Sequence, residues 1–201
     1  MVKVGLTGAS GSGKTSVCQY FEKIGIPCLD TDRVSRELTA PGTPCFLELT
    51  ERFGRDILFP DGNLDRKKLA KIAYSDQKNY LDLNRITHGY IVPDCLNWLD
   101  EKEKSGVKAA VLDAPLLYES GLDRYVDCIV AVIAPLPVRI RRITLRDHLD
   151  EDSVRLRLLR QHPDGYYIGR SNCIIVNDCD EETLVRRIKR ILPYVLSFRQ
   201  R

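Results

Sequence analysis

Residues Gly8 to Thr15 read Gly-Ala-Ser-Gly-Ser-Gly-Lys-Thr, the spacing G-x-x-x-x-G-K-[ST] that cradles the phosphates of a nucleoside triphosphate. The chemistry needs each of these types where it stands. Gly8, Gly11 and Gly13 let the backbone bend and come close to an anion with no side chain in the way. Amides at the start of the following helix then face the phosphates. Lys14 supplies a point charge for the outer phosphates, and the Thr15 hydroxyl ligates Mg²⁺. Gly8, Ser10, Gly11, Ser12, Gly13, Lys14, Thr15 and Ser16 are therefore expected to hold ATP, with Mg²⁺ as the second cofactor.

A loop of this kind works only between a strand and a helix. The run 2–7 is short and apolar, as a buried strand would be, and 16–21 has helical character. Downstream, Gly25 stops the helix and 25–30 reads as a second strand. A short helix is expected from Thr31 or Asp32 to about Leu38, then helical segments over 45–53, 65–74 and 77–104. Pro93 should kink or divide the last of these. Strands follow at 107–113 and 126–133, helices at 137–148 and 151–161, a last strand at 173–177, and an amphipathic helix from 181 to about 196. Strands alternating with helices imply a parallel sheet covered on both faces, and a mostly helical insertion interrupts that alternation at 32–104.

Ligands of such sheets lie beyond the carboxyl ends of the strands. That rule selects Asp30, Asp32, Asp113, Pro115 and Asn177. Transfer of a phosphoryl group to a hydroxyl needs a base for the hydroxyl proton, and Asp32 is favoured over the alternative that it or Asp30 merely caps the next helix. Asp113 closes an apolar strand, where a carboxylate holds Mg²⁺ directly or through water; the alternative is a solvated strand end. Arg139, Arg141, Arg142, Arg146, Arg155, Arg157, Arg160 and Arg170 concentrate positive charge in 139–170. Most are expected to pair with Asp147, Asp150, Glu151 and Asp152. One or two of Arg142, Arg146 and Arg157 are expected to reach the nucleotide, where forked donors suit phosphate oxygens. His88, alone in an amphipathic helix, is not singled out by periodicity.

Composition bounds the rest. The chain has 201 residues, 43% hydrophobic and 29% charged, enough for one α/β domain with a substantial core. A net charge of +3 gives no compositional case for nucleic acid. No run approaches the ~20 apolar residues that span a bilayer. The amino end leads straight into the first strand, which is unlike a removable signal peptide. The seven cysteines are scattered, with no C-x-x-C pair, so a metal or redox role is not expected of them. The expectation is a cytoplasmic protein, monomeric or weakly self-associating, whose partner is a small molecule, with no nucleic acid and no membrane.

The order of motifs resembles the dephospho-coenzyme A kinase family over nearly the whole chain. The resemblance rests on 6–15, on Asp30-Thr31-Asp32 followed by Arg36, on Pro41-Gly42-Thr43-Pro44 and Phe53-Gly54, and on the run from Asp61 to Leu69. It continues through Asp113-Ala114-Pro115-Leu116-Leu117-Tyr118-Glu119, Arg142 to Arg146, Arg157 to Gln161 and Val176-Asn177. The resemblance implies a three-layer P-loop kinase fold with a parallel central sheet, a helical acceptor-binding insertion and a small lid. The core would be 1–31, 105–136 and 172–201, the acceptor domain 32–104, and the lid with its flanking helices 137–171. It implies transfer of the ATP γ-phosphate to the 3′-hydroxyl of dephospho-coenzyme A, the last step of coenzyme A biosynthesis. Asp32, Lys14 and Arg142 would be catalytic. Arg142, Arg146 and Asn177 would join the nucleotide site, and Asp32, Arg36, His88, Pro115, Leu116 and Arg157 the acceptor site, with Thr15 and Asp113 on the metal. Gly89 stands where the family has proline, Tyr167 where it commonly has lysine, and Ser171-Asn172 where it has Ala-Asp. The runner-up is another P-loop small-molecule kinase acting on a nucleoside or nucleoside monophosphate. A nucleotide-dependent switch without acceptor chemistry ranks lower, because Asp32 and the long insertion argue against it.

Overall fold

A computed structural model describes residues 1–198; the last three residues of the expected core, 199–201, lie outside the described part. Five strands form one sheet: β1 (Val2–Thr7), β2 (Cys28–Asp30), β3 (Ala109–Asp113), β4 (Cys128–Ile133) and β5 (Cys173–Val176), in the order β2-β3-β1-β4-β5. β1 runs parallel to β3, from Val2 opposite Ala109 to Leu6 opposite Asp113, and parallel to β4, from Val4 opposite Cys128 to Thr7 opposite Ala131. β4 runs parallel to β5. The strand that leads into the glycine loop is thus hydrogen-bonded along both edges.

The alternation of β1 decides what covers it. Val2, Val4 and Leu6 join one apolar cluster with Val17 and Phe21 of α1 (Lys14–Lys23) and with Leu184 and Ile188 of the carboxy-terminal helix Glu181–Ser197. On Gly5 a Cβ would fall 2.8 Å from a methyl of the fully buried Leu117 and 3.2 Å from a methyl of Val126. A side chain there must push the Leu117 methyl aside.

The chain divides into two compact units, one of residues 1–29 with those from Leu99 onward, the other Asp30–Trp98. The second unit is helical: α2 (Thr31–Leu38), α3 (Pro44–Phe53), α4 (Arg66–Ala73) and most of α5 (Gln77–Lys104). Its core gathers Cys45, Phe46, Leu49, Ile57, Leu64, Leu69 and Ile86. Local chemistry sets its helix starts. Thr43 accepts from the Phe46 amide ahead of Pro44, and Asp65 accepts from the Lys68 amide. A salt bridge of 2.7 Å from Arg52 to Asp82 ties α3 to α5.

Two elements depart from expectation. α5 is continuous through Pro93, so of the expected kink or division the division does not occur. The carbonyl that Pro93 leaves without an amide partner belongs to Gly89, and both residues are exposed, where water can reach it. A five-residue helix, Asp164–Ile168, follows Pro163, too short for periodicity to announce. The remaining helices of the first unit are α6 (Leu136–Asp147) and α7 (Glu151–Leu159); the short one is α8 and Glu181–Ser197 is α9. Among the described residues, no helix is long and apolar enough to cross a membrane.

Candidate active site

β1 ends at Thr7, and the chain turns at Gly8 with φ 138°, where a Cβ would lie 2.1 Å from the Val132 carbonyl oxygen. Gly13 closes the turn at φ 95°; a Cβ there would lie 2.0 Å from Asn177 Nδ2. Neither position tolerates a side chain, for reasons of both conformation and space.

The loop is held from behind by a buried polar network. Asn177 is 3% exposed. Its Nδ2 donates to the Ser12 carbonyl at 2.8 Å, and its own amide donates to the Ile133 carbonyl at 2.8 Å. Arg142 Nη2 donates to Asn177 Oδ1 at 3.2 Å, and Arg142 Nη1 to the carbonyls of Asn177, Gly11 and Ser12 at 3.1–3.3 Å. These bonds fix the peptide between Ser12 and Gly13 with its oxygen toward Arg142 and Asn177. A trans peptide points its N–H the opposite way, so the Gly13 amide is aimed out of the turn. Gly13 at the cap of α1 gives that helix no side-chain cap, and no acid stands in its first turn, so no side-chain oxygen of the turn competes with an anion there. Lys14 Nζ donates back to the Gly8 carbonyl at 2.9 Å, across the mouth of the loop.

Asp113 ends β3 beside Leu6. The Cys18 thiol, one turn into α1, lies 3.6 Å from Asp113 Oδ2. A hydrogen bond with Cys28, burial and the Asp113 charge push the Cys18 thiol up, so it meets the carboxylate as a neutral donor. The donor set suits Mg²⁺. Thr15 and Asp113 offer hard oxygen ligands, and among the described residues no cluster of His, Cys, Asp and Glu forms a closed metal cage. Mg²⁺ is ordinarily held by one or two protein oxygens together with substrate phosphates and water.

The other sequence-derived positions separate into groups. Arg142 and Asn177 contact the loop directly. Pro115 and Leu116 follow Asp113, and Leu116 is exposed. Arg146 and Arg157 converge on Asp147: Arg146 is bidentate at 2.7 and 2.9 Å, and Arg157 bonds at 2.8 Å. The Arg146 hydrogen bond and then the Arg157 charge hold the Asp147 carboxyl down, to about 2. A depressed carboxyl keeps its ion pairs above its ordinary value near ~3.9 and loses them as pH falls through the folded value. Carboxyl NMR should therefore give Asp147 a native midpoint near 2; a midpoint near ~4 would remove this pairing from solution.

Asp32, Arg36 and His88 lie in the second unit, on α2 and α5. The cap of α2 is Asp30, whose Oδ1 accepts from the amides of Asp32 and Arg33 at 2.9 and 3.3 Å. Capping is therefore not the task of Asp32, an exposed residue of the first turn. His88 is half-buried on α5.

Two of the departures from the family pattern, Asn172 and Tyr167, have local explanations. Asn172 donates its amide to the Ile129 carbonyl at 2.9 Å and accepts the Ile129 amide on Oδ1 at 2.8 Å, opening β5 with an oxygen that an aspartate would equally supply. Tyr167 is 4% exposed, packs with Ala9 and Ala131, and has its hydroxyl pushed up to about 12 by burial. It fills an apolar space beside the loop. Sequence reasoning passed over Arg139 and Gln161. Both bond the loop, yet one was a member of a basic cluster and the other only the last residue of a quoted motif.

The dephospho-CoA kinase family model matches residues 2–182. A dephospho-CoA kinase of Corynebacterium glutamicum is 39% identical, with 98% of each chain covered. One from Moorella thermoacetica is 38% identical over 90% of this chain and 86% of its own length. Among solved structures, a Thermus thermophilus protein superposes with a TM-score of 0.80 at 26% identity, covering 96% of this chain and 97% of its own. The match of family model and relatives extends over strand, loop and helices alike, and the chain belongs to the dephospho-CoA kinase family.

Proposed function

We propose that this protein transfers the γ-phosphoryl group of ATP to the 3′-hydroxyl of the ribose in dephospho-coenzyme A, giving coenzyme A and ADP. The Ser12–Gly13 peptide carries the reading: its oxygen is committed to Arg142 and Asn177, and its amide is left for phosphate. Gly8, Ser10, Gly11, Gly13, Thr15 and Ser16 receive the phosphate chain. Lys14 exchanges the Gly8 carbonyl for phosphate oxygens as ATP enters. Thr15 and Asp113 would hold Mg²⁺, which supplies charge neutralisation on the phosphates.

Asp32 takes the proton of the attacking 3′-hydroxyl. The new P–O bond forms to the ribose oxygen while the bond from the γ-phosphorus to the oxygen bridging it to the β-phosphorus breaks, and ADP carries away the electron pair. A cavity of about 400 Å³ continues from Gly13 and Ser16 along Tyr20, Cys179 and Val185. That volume lies in the range of small-molecule sites, roughly 300–1,000 Å³, and suits the nucleoside end of ATP. Segment 137–171 acts as a lid that excludes water, which otherwise competes as acceptor. Arg146 and Arg157 leave Asp147 for phosphate oxygens when it closes.

Segment 32–104 receives the acceptor, with Pro115 and Leu116 contributing apolar contact. Arg36 and Arg66 supply charge for the acceptor diphosphate. Arg66 Nη2 donates to Thr39 Oγ1 at 2.5 Å and to the Arg36 carbonyl at 3.4 Å. Burial and the Arg36 charge lower the Arg66 guanidinium, and an arriving anion relieves that repulsion. The reading carries a cytosolic enzyme acting as a monomer or weak homo-oligomer.

The test is an acceptor panel with γ-labelled ATP. Label is expected in dephospho-coenzyme A, and at least ~10²-fold less in nucleosides or nucleoside monophosphates, which lack the groups that the acceptor segment would hold. Label in a nucleoside with none in dephospho-coenzyme A would overturn the assignment.

A further inference from the structure

Ser10 sits at the crest of the loop, and both of its peptide groups are held by side chains distant in sequence. Its amide donates to Gln161 Oε1 at 2.9 Å, and its carbonyl accepts from Arg139 Nε at 3.1 Å. The two side chains also meet each other, Arg139 Nη2 donating to Gln161 Oε1 at 3.4 Å. Arg139 Nη1 donates to Asp164 Oδ1 at 3.3 Å. Arg139 is 6% exposed and belongs to the first turn of α6. Its backbone lies directly under the loop, since a Cβ on Gly11 would fall 2.9 Å from the Arg139 carbonyl oxygen.

The placement in the chain matters as much as the bonds. α6 and α7 are joined by the turn at 148–150, and the clamp residues stand at the two feet of this helical hairpin. Arg139 precedes Arg142 and Arg146, and Gln161 follows Arg157. A planar, forked guanidinium can serve loop carbonyl, amide oxygen and carboxylate at once, which a lysine cannot. Around the buried Arg139 each partner of this half-buried set is bonded to another, the condition under which such a network fixes one geometry.

We propose that Gln161 and Arg139 are positioning residues. Together they lock the crest of the phosphate loop to both feet of the lid hairpin, so that the loop is set in its anion-receiving shape before ATP arrives. The inference rests on the reading that the 8–16 loop receives the phosphates of ATP. Neither residue touches the reacting atoms. Their contribution is the ordering that ATP would otherwise have to impose.

The test uses Gln161→Met, which keeps length and removes the acceptor, and Gln161→Glu, which keeps an acceptor for both Ser10 N–H and Arg139. Amide hydrogen exchange at Ser10, followed by NMR without nucleotide, should be slow in the parent and in Gln161→Glu. It should be about tenfold faster or more in Gln161→Met, the scale of one lost hydrogen bond. Calorimetry should show ATP bound roughly tenfold more weakly by Gln161→Met. Its KM for ATP should rise, and its kcat and its KM for the acceptor should change little, the pattern of lost ground-state binding. Equal exchange at Ser10 in parent and Gln161→Met, or equal acceleration in both variants, overturns the clamp. Undiminished ATP binding by Gln161→Met overturns its role in preparing the loop. Failure of the parent itself to bind ATP overturns the loop reading and this inference with it, an outcome distinct from the other two.

Discussion

Lys14→Met is expected to lower kcat/KM for ATP by about 10³-fold, the scale of removing one preorganised charged donor from a phosphoryl-transfer site. The unbranched stem of methionine keeps the start of α1 intact. In the free protein Nζ donates to the Gly8 carbonyl at 2.9 Å, a bond whose loss costs about 1 kcal/mol. Thermal unfolding should therefore move by no more than a few degrees while turnover collapses. Radiolabel transfer to the acceptor and a melting curve on the same sample check both halves. A variant within tenfold of the parent would mean that the loop amides alone carry the outer phosphates and that the ammonium is dispensable.

Asp32→Asn is the second large effect. Loss of a positioned general base typically costs about 10²–10⁴ in kcat. Asparagine keeps the shape and can accept a hydrogen bond, but it cannot take up the ribose proton. The cap of α2 is Asp30, so the substitution leaves that capping bond in place. ATP affinity by calorimetry should be unchanged, because the residues proposed to receive the phosphates are untouched. A kcat within a few-fold of the parent would move the base elsewhere and reopen the search among the acceptor-side residues.

Much of this was legible in the sequence because it is local. The octet at 8–15 announces its own geometry, the start of α2 follows from Asp30-Thr31-Asp32, and the limits of α5 follow from its apolar face. What stayed hidden depends on contacts between distant segments. Arg139 and Gln161 reach Ser10 across sequence separations of 129 and 151 residues, and nothing in a stretch of arginines tells which one turns toward a loop. The sequence offers Arg146 and Arg157 as candidate phosphate contacts, but the carboxylate they share, Asp147, depends on how α6 meets α7. That α5 is not divided at Pro93 has a related reason: the cost of a proline in a helix depends on whether water can reach the carbonyl it leaves without a partner, which only the fold decides.

The tight fit around Gly5 has a consequence for reading natural variation. Gly5 makes no contact proposed for any substrate, yet one added methyl must displace Leu117, which lies four residues beyond Asp113. A substitution there would act through crowding beneath the sheet, at a cost set by how far the Leu117 side chain can shift. Genetic surveys of this chain should accordingly count that buried glycine among the positions where loss of turnover is first suspected.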